Sequence, residues 1–264
     1  MMEMVTATRF ERRMTSGKTE PCLLTCERED GSEVEVVAKF SKGCDRDVVA
    51  LVVEALCAML AKDLGLPVPE PLLVTVDDTF IQSLPDQARN AAAQMRASCR
   101  VAFGSAKLPD DFTVWIPDGS IPSSLRQDAL EVFAFDCLID NPDRRVTKPN
   151  LLFNGSSLAI IDHEMALMTD LGSLWWQPPW VLGALTQPAP QHVLFARLRG
   201  HQASLERLLD AWSAISNERL SQYLAALPTE WIMNGQPARK ALAYLQSLRD
   251  NAKAALDEVA RVLS

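Results

Sequence analysis

Five side chains in this sequence have the types and the order for one kind of chemistry: Lys39, Glu54, Asp143, Asn150 and Asp162. Lys39 alternates out of the apolar run VVAKF, and Glu54 follows within VVALVVEALCAML. Asp143 and Asn150 share the polar stretch NPDRRVTKPN, and Asp162 ends the apolar run LAIID. Phosphoryl transfer from ATP needs a cation on the α- and β-phosphates and a carboxylate to orient that cation. It also needs a carboxylate near the acceptor hydroxyl and an oxygen pair for Mg²⁺. Taken singly, four of the five have plainer roles. Lys39 reads as a solvated strand lysine, Glu54 as a helix-surface residue, and Asp143 and Asn150 as turn formers. Asp162 differs, because charge beside a buried strand needs a partner or a metal.

The segment ERRMTSGKTEPCLL contains SGKT, the tail of a phosphate-binding P-loop. That motif needs a further glycine five residues before Gly17, where this chain has Arg12, so the strict motif fails. A shorter glycine-containing turn between two strands remains able to cover phosphates. No GxSxG elbow is present, and His163, His192 and His201 lack a nucleophile context, which argues against a Ser-His-Asp hydrolase.

Periodicity predicts the elements that position these residues. CLLTCERED GSEVEVVAKF reads as a hairpin turning at Asp30-Gly31. The apolar positions from Val48 to Leu64 predict a helix that stops at Gly65, before prolines at 67, 69 and 71. PLLVTVDDTFIQSL is expected to give two strands around an Asp77-Asp78 turn, and QARNAAAQMRA a helix. SSLRQDALEVFAFDCLID predicts an amphipathic helix capped by Ser123 or Ser124. Within it Asp136, set among apolar residues, is expected to anchor the following loop, with Arg144 and Arg145 steadying that loop or contacting a phosphate. LLFNGSSLAIID predicts a second hairpin at Asn154-Gly155, and from His201 onward helices broken near Pro228 and Pro237. Trp175, Trp176 and Trp180 are expected to pack over these helices, with a substrate or partner surface as the alternative.

Composition bounds the rest. A chain of 264 residues, 48% hydrophobic and 23% charged, has the length for one large domain or two lobes. A net charge of −8 argues against a general nucleic-acid or anionic-membrane surface. No apolar stretch reaches the ~20 residues that span a bilayer, and MMEMVTATRFERR lacks the order of a signal peptide, so the expected location is cytoplasmic. The six cysteines form no CxxC pair and read as reduced thiols rather than zinc ligands.

FDCLIDNPDRRVTKPNLLF followed by LAIIDHEMAL resembles the catalytic and metal-binding segments of the HipA-like kinases, a divergent branch of the protein-kinase-like fold. VVAKF, EALCAMLAKDLGLPVPEP and CRVAFGSAKL extend the resemblance over roughly residues 8 to 170. It implies an α+β, two-lobed fold: an N-terminal ATP-clamping lobe over 1–100, with a small antiparallel sheet and a helix, and a mostly helical catalytic lobe over 101–264. It implies Asp143 as the catalytic aspartate, Lys39 as the phosphate-binding lysine with Glu54 as its partner, and Asn150 and Asp162 as Mg²⁺ ligands. Ser16, Gly17, Lys18 and Thr19 would form the phosphate-loop tip between the first two strands. ATP and Mg²⁺ are the implied cofactors and a protein serine or threonine the implied acceptor. The family includes toxins, so an antitoxin or regulatory partner belongs among the expectations. A nucleotide-sensing pseudokinase and a small-molecule kinase are the alternatives.

Two departures bear on the chemistry. Most kinase-like proteins place Asn five residues after the loop Asp; here Lys148 stands at that spacing and Asn150 follows at seven, read as a two-residue insertion. His163 and Glu164 follow Asp162, so a DFG-type glycine is missing.

Overall fold

The computed structural model describes residues 2–14, 19–167, 176–201, 204–233 and 235–264. The chain opens with strands β1 (Glu3–Arg13), β2 (Cys22–Glu27) and β3 (Glu33–Lys39), helix α1 (Val48–Asp63) and strand β4 (Pro71–Thr75). Helices α2 (Asp78–Ser83) and α3 (Arg89–Arg96) precede strand β5 (Val101–Ala106). The five strands close into a barrel in the order β1-β2-β3-β5-β4. This corrects the expected small antiparallel sheet: four pairings are antiparallel, but closure comes from β1 pairing parallel to β4, Glu3 opposite Leu72 through Thr6 opposite Thr75. Closing the sheet removes the two edges that an open sheet would leave unpaired.

Strand alternation sorts side chains between two apolar clusters. Val36, Ala38, Leu72, Val74 and Ala102 face the barrel interior, where α2 and α3 add Phe80, Ile81, Ala91 and Met95. Leu73 and Phe103 face outward onto α1. Gly104 sits where a Cβ would come 2.5 Å from Val36 Cγ1 and 2.7 Å from Val74 Cγ2, so only glycine lets these strands approach.

The Asp30-Gly31 hairpin forms as expected, with Gly31 at φ +82°. The second half of PLLVTVDDTFIQSL is helix α2 rather than a strand. Asp77 caps it by accepting the Phe80 N–H at 2.6 Å, which starts a helix where a turn was expected.

Strand β6 (Thr113–Val114) leads to helix α4 (Arg126–Leu138), entered through a 3₁₀ turn at Ser123–Leu125. Neither Ser123 nor Ser124 caps it, since the 3₁₀ turn occupies those positions and no side-chain cap is made. Nor is α4 amphipathic: every residue from Ala129 to Asp136 is buried, so it is a central helix. Strands β7 (Leu151–Phe153) and β8 (Leu158–Ile160) form the Asn154-Gly155 hairpin, joined by β6 in a three-stranded sheet.

Helices α5 (Phe195–Leu198), α6 (Glu206–Ala214), α7 (Asn217–Ala225), α8 (Thr229–Ile232), α9 (Gln236–Asp250) and α10 (Ala252–Leu263) complete the chain. One continuous core runs from α1 through α4 into these helices. Helix α1 is buried from Ala50 to Ala61, packed on β4 and β5 and on α7, α8 and α9. Trp180 stacks on Tyr244 at 6.0 Å and Trp176 donates to Asp140 Oδ2 at 2.8 Å, a packing role as expected; Trp175 lies outside the described residues. All six cysteines are free thiols. No helix among the described residues is long and apolar enough to cross a membrane.

Candidate active site

Residue parity along β3 turns Val36 and Ala38 into the barrel, so Lys39 leaves on the outer face, beside Phe103 and toward α1. There its ammonium lies 2.8 Å from Glu54 Oε2 and 2.5 Å from Asp162 Oδ1, with Glu164 Oε2 at 3.7 Å. Three of the five residues singled out by type and order thus meet at one nitrogen. Glu54 and Glu164 are buried at 3% and 6% exposure, so the ammonium compensates charge that water does not reach. Burial alone would lower the Lys39 pKa, but Glu54, Asp162 and Glu164 outweigh it and hold it well above the ordinary lysine value. Burial likewise pushes the Glu54 and Asp162 carboxyls up; Lys39, joined at Asp162 by Lys148, reverses this and holds both below their usual range. Glu164 goes the other way, its carboxyl raised by burial and by the nearby Asp162 and Glu54 charges against the pull of Lys39.

The loop between α4 and β7 brings Asp143 to the same place. Its Oδ2 lies 2.5 Å from Lys148 Nζ, which also reaches Asp162 Oδ2 at 2.9 Å. Asn150 Nδ2 stands 3.4 Å from both the Asp143 carbonyl and Asp143 Oδ2. Asn150 and Asp162 adopt left-handed backbone, φ +45° and +63°, and are tied together by Ile161 N–H donating to Asn150 O at 3.2 Å. Non-glycine residues in that region are uncommon and collect at functional sites.

Buried polar groups hold the loop in shape. Arg144, 1% exposed, donates Nε to Asp136 Oδ2 at 2.5 Å and Nη1 to the carbonyls of Asn150 and Ile161. Asn141 Nδ2 and His192 Nε2 also reach Asp136, at 2.7 and 3.0 Å. Asp136 therefore anchors the loop as its sequence context implied, and Arg144 braces left-handed Asn150 and Ile161, the residue before Asp162, by their carbonyls. Arg144 Nη2 also meets His163 Nε2 at 3.1 Å, and His163 Nδ1 lies 3.5 Å from Glu54 Oε1. One chain of polar side chains thus runs from His192 through Asp136, Arg144 and His163 to Glu54 and Lys39. Arg145 donates to the Pro142 carbonyl at 2.5 Å, a contact within the loop.

The expected phosphate loop joins β1 to β2, and Met14 N–H donates to Pro21 O at 2.8 Å to close its base. Pairing of Cys22 with Ala38 puts that base at the Lys39 end of β3. Thr19 is buried, its carbonyl accepting from Gln94 Nε2 at 3.1 Å; Ser16, Gly17 and Lys18 lie outside the described residues.

For a divalent cation the donors are all oxygen, as a hard ion requires. Carboxylate oxygens of Glu54, Asp162 and Glu164 lie within 4.8 Å of one another, and the buried Glu164 Oε2 has no hydrogen-bond donor among the described residues. Asp162 is the partly exposed member of that cluster, which fits a metal ligand reachable by a phosphate. His163, Glu164 and Lys148 were not assigned to the site by sequence, although charge directly after the buried run LAII is the signal that points to the first two.

A family model of HipA-like kinases matches residues 7–259, well past residue 170 where the visible resemblance ended. The crystal structure of the Helicobacter pylori proinflammatory kinase CtkA superposes with a TM-score of 0.54 at 12% identity, over 98% of this chain and 97% of that one, a likeness of fold. A MAP kinase from Leishmania major aligns over 98% of this chain and 84% of its own at 11% identity, but its TM-score of 0.27 is too low to carry an argument. No curated protein matches the sequence. The match spans both the barrel strand that carries Lys39 and the loop that carries Asp143, and it ends only within α10: the chain belongs to the HipA-like kinase family.

Proposed function

We propose that the protein is a Mg-ATP-dependent phosphotransferase of two lobes, with ATP between barrel and helices, that phosphorylates serine or threonine hydroxyls of a protein. The single observation that carries this reading is the Lys39 ammonium held between Glu54 and Asp162, with Asp143 one lysine away. Lys39 grips the α- and β-phosphates, and Glu54, buried on α1, keeps that ammonium in place. Asp143 orients the acceptor hydroxyl and takes its proton as the hydroxyl oxygen bonds to the γ-phosphorus and the bond to the departing ADP oxygen breaks. Asp162 and Asn150 would hold Mg²⁺, which supplies positive charge against the phosphates. Arg144, paired with Asp136 on α4, holds the carbonyls of Asn150 and of Ile161, next to Asp162, which limits the reorganisation needed at the moment of reaction. A protein acceptor rests on the family resemblance, and a cytoplasmic location on the sequence expectation alone.

The test is thermal unfolding with millimolar Mg-ATP, followed by transfer of labelled γ-phosphate. Ligand at 100-fold its Kd adds about 2.7 kcal/mol, roughly 5–10 °C in a chain of this size. The wild type is expected to show this shift and Asp162→Ala to lose most of it. Asp143→Ala is expected to lower transfer by about 10²–10⁴-fold with the ATP shift retained. Transfer that survives Asp143→Ala refutes the assignment.

A second reading has its own observation. Lys148 occupies Asp143 Oδ2, one of the two oxygens that could take the acceptor proton. A nucleotide-binding protein without turnover would show the ATP shift and no transfer to any acceptor.

A further inference from the structure

Kinases of this general fold place two Mg²⁺ ions on the nucleotide, with the loop asparagine and the post-strand aspartate holding them. In this chain the residue five positions after Asp143 is Lys148, and the structure gives it a defined position. Backbone bonds in both directions between Arg145 and Lys148, at 3.0 and 3.1 Å, close a tight turn that returns Lys148 beside Asp143. From there its Nζ bridges Asp143 Oδ2 at 2.5 Å and Asp162 Oδ2 at 2.9 Å. The other oxygen of Asp162 is taken by Lys39 at 2.5 Å, so the aspartate has one ammonium on each oxygen. Asn150, the displaced asparagine, keeps its amide nitrogen toward Asp143. A cation thus already joins the loop carboxylate to the post-strand carboxylate, and it is part of the chain.

We propose that Lys148 supplies the second cation of this site, so that one divalent ion, held by Asp162 and Asn150, accompanies the nucleotide instead of two. The inference rests on the phosphotransferase reading above. Lys39, once it grips the phosphates, leaves Asp162 Oδ1 to the one ion, whereas a second ion would meet Lys148 on Asp162 Oδ2 and Asp143 Oδ2 and would have to expel it, because an ammonium and a divalent ion cannot share those two oxygens without strong repulsion. The ammonium also ties Asp143 to Asp162 before nucleotide arrives, which keeps the acceptor carboxylate and the metal carboxylate in register.

The test counts Mn²⁺ bound per molecule of the non-hydrolysable analogue β,γ-imido-ATP, by electron paramagnetic resonance, as free Mn²⁺ is raised to millimolar. The wild type is expected to stay at one ion per nucleotide, and Lys148→Asn, which restores an oxygen donor at that spacing, to reach two. A wild type that reaches two overturns the proposal and leaves the phosphotransferase reading standing, as does Lys148→Asn that stays at one. Failure of the analogue to bind the wild type overturns both. A nucleotide-free measurement covers poor folding of the asparagine variant: with Lys148→Met, Mg²⁺ is expected to raise the melting temperature, whereas the wild type does not respond. Equal responses of the two chains count against the proposal.

Discussion

Replacing Asp136 by leucine is the sharpest structural test, because its partner stays behind. Both Asp136 and Arg144 have side chains with 0% exposure, and among the described residues Arg144 would keep its charge with the Asn150 and Ile161 carbonyls and His163 as its remaining partners. Removing one member of a buried pair costs about 3–5 kcal/mol, most of it the penalty of the orphaned charge. At 2–4 °C per kcal/mol, that is roughly 6–20 °C in melting temperature. The double variant Asp136→Leu with Arg144→Met buries no charge, and is expected to be more stable than Asp136→Leu alone. Chemical denaturation of the four chains completes a double-mutant cycle, with a coupling energy of about 2 kcal/mol or more expected. Additive single effects, or a single-variant cost below about 1 kcal/mol, would refute the argument that this pair anchors the loop. The same pair sets a pH dependence. Burial pushes the Asp136 carboxyl up, but Arg144 and His192 reverse this and hold it well below the ordinary range. A carboxyl lowered in the fold contributes stability that is complete above its unfolded value, near pH 4, and is lost as pH falls further. Wild-type stability should therefore decline below about pH 4, and the double variant should decline less.

Three further outcomes follow from single contacts. Glu164 has a raised carboxyl pKa, so its stability contribution has the opposite sign and is lost as pH rises through the acid range. Glu164→Gln is accordingly expected to gain in melting temperature relative to wild type between pH 4 and pH 7, and a constant difference would count against it. Gly104→Ala forces a methyl against Val36 and Val74, and overpacking of this kind costs about 1–3 kcal/mol by denaturant titration; an unchanged midpoint would show that the barrel yields. Asp77→Ala removes the cap on α2 and should cost about 0.5–2 kcal/mol, with Asp77→Asn near wild type.

Much of the site could be read from the chain because it depends on local rules. Alternation along VVAKF puts Lys39 on the face opposite Ala38, and a helix follows with Glu54 at its middle. An aspartate directly after LAII has no solvent on one side and needs a cation, which turns out to be Lys39 with Lys148. The hairpins at Asp30-Gly31 and Asn154-Gly155 form where turn chemistry demands. TFIQSL is helix rather than strand, and the chain carries the signal for it, since Asp77 three residues before Phe80 is a helix cap.

Local patterning specifies an inventory and its order: a strand lysine, a helix glutamate, a loop aspartate and a post-strand aspartate, each set over a few residues. The remaining features arise from contacts between segments far apart in the chain. Closure of the barrel depends on β1 meeting β4, a parallel pairing that no local turn specifies. Burial of Arg144, and the engagement of His163 and Glu164 with Glu54 and Lys39, depend on α1, α4 and the β8 end packing together. Lys148 shows the difference most directly. As text it was a lysine where an asparagine is usual; in three dimensions its charge falls between two carboxylates brought together from opposite sides of a hairpin. The energy of such an arrangement depends on distance and solvent exclusion, and residue order encodes neither.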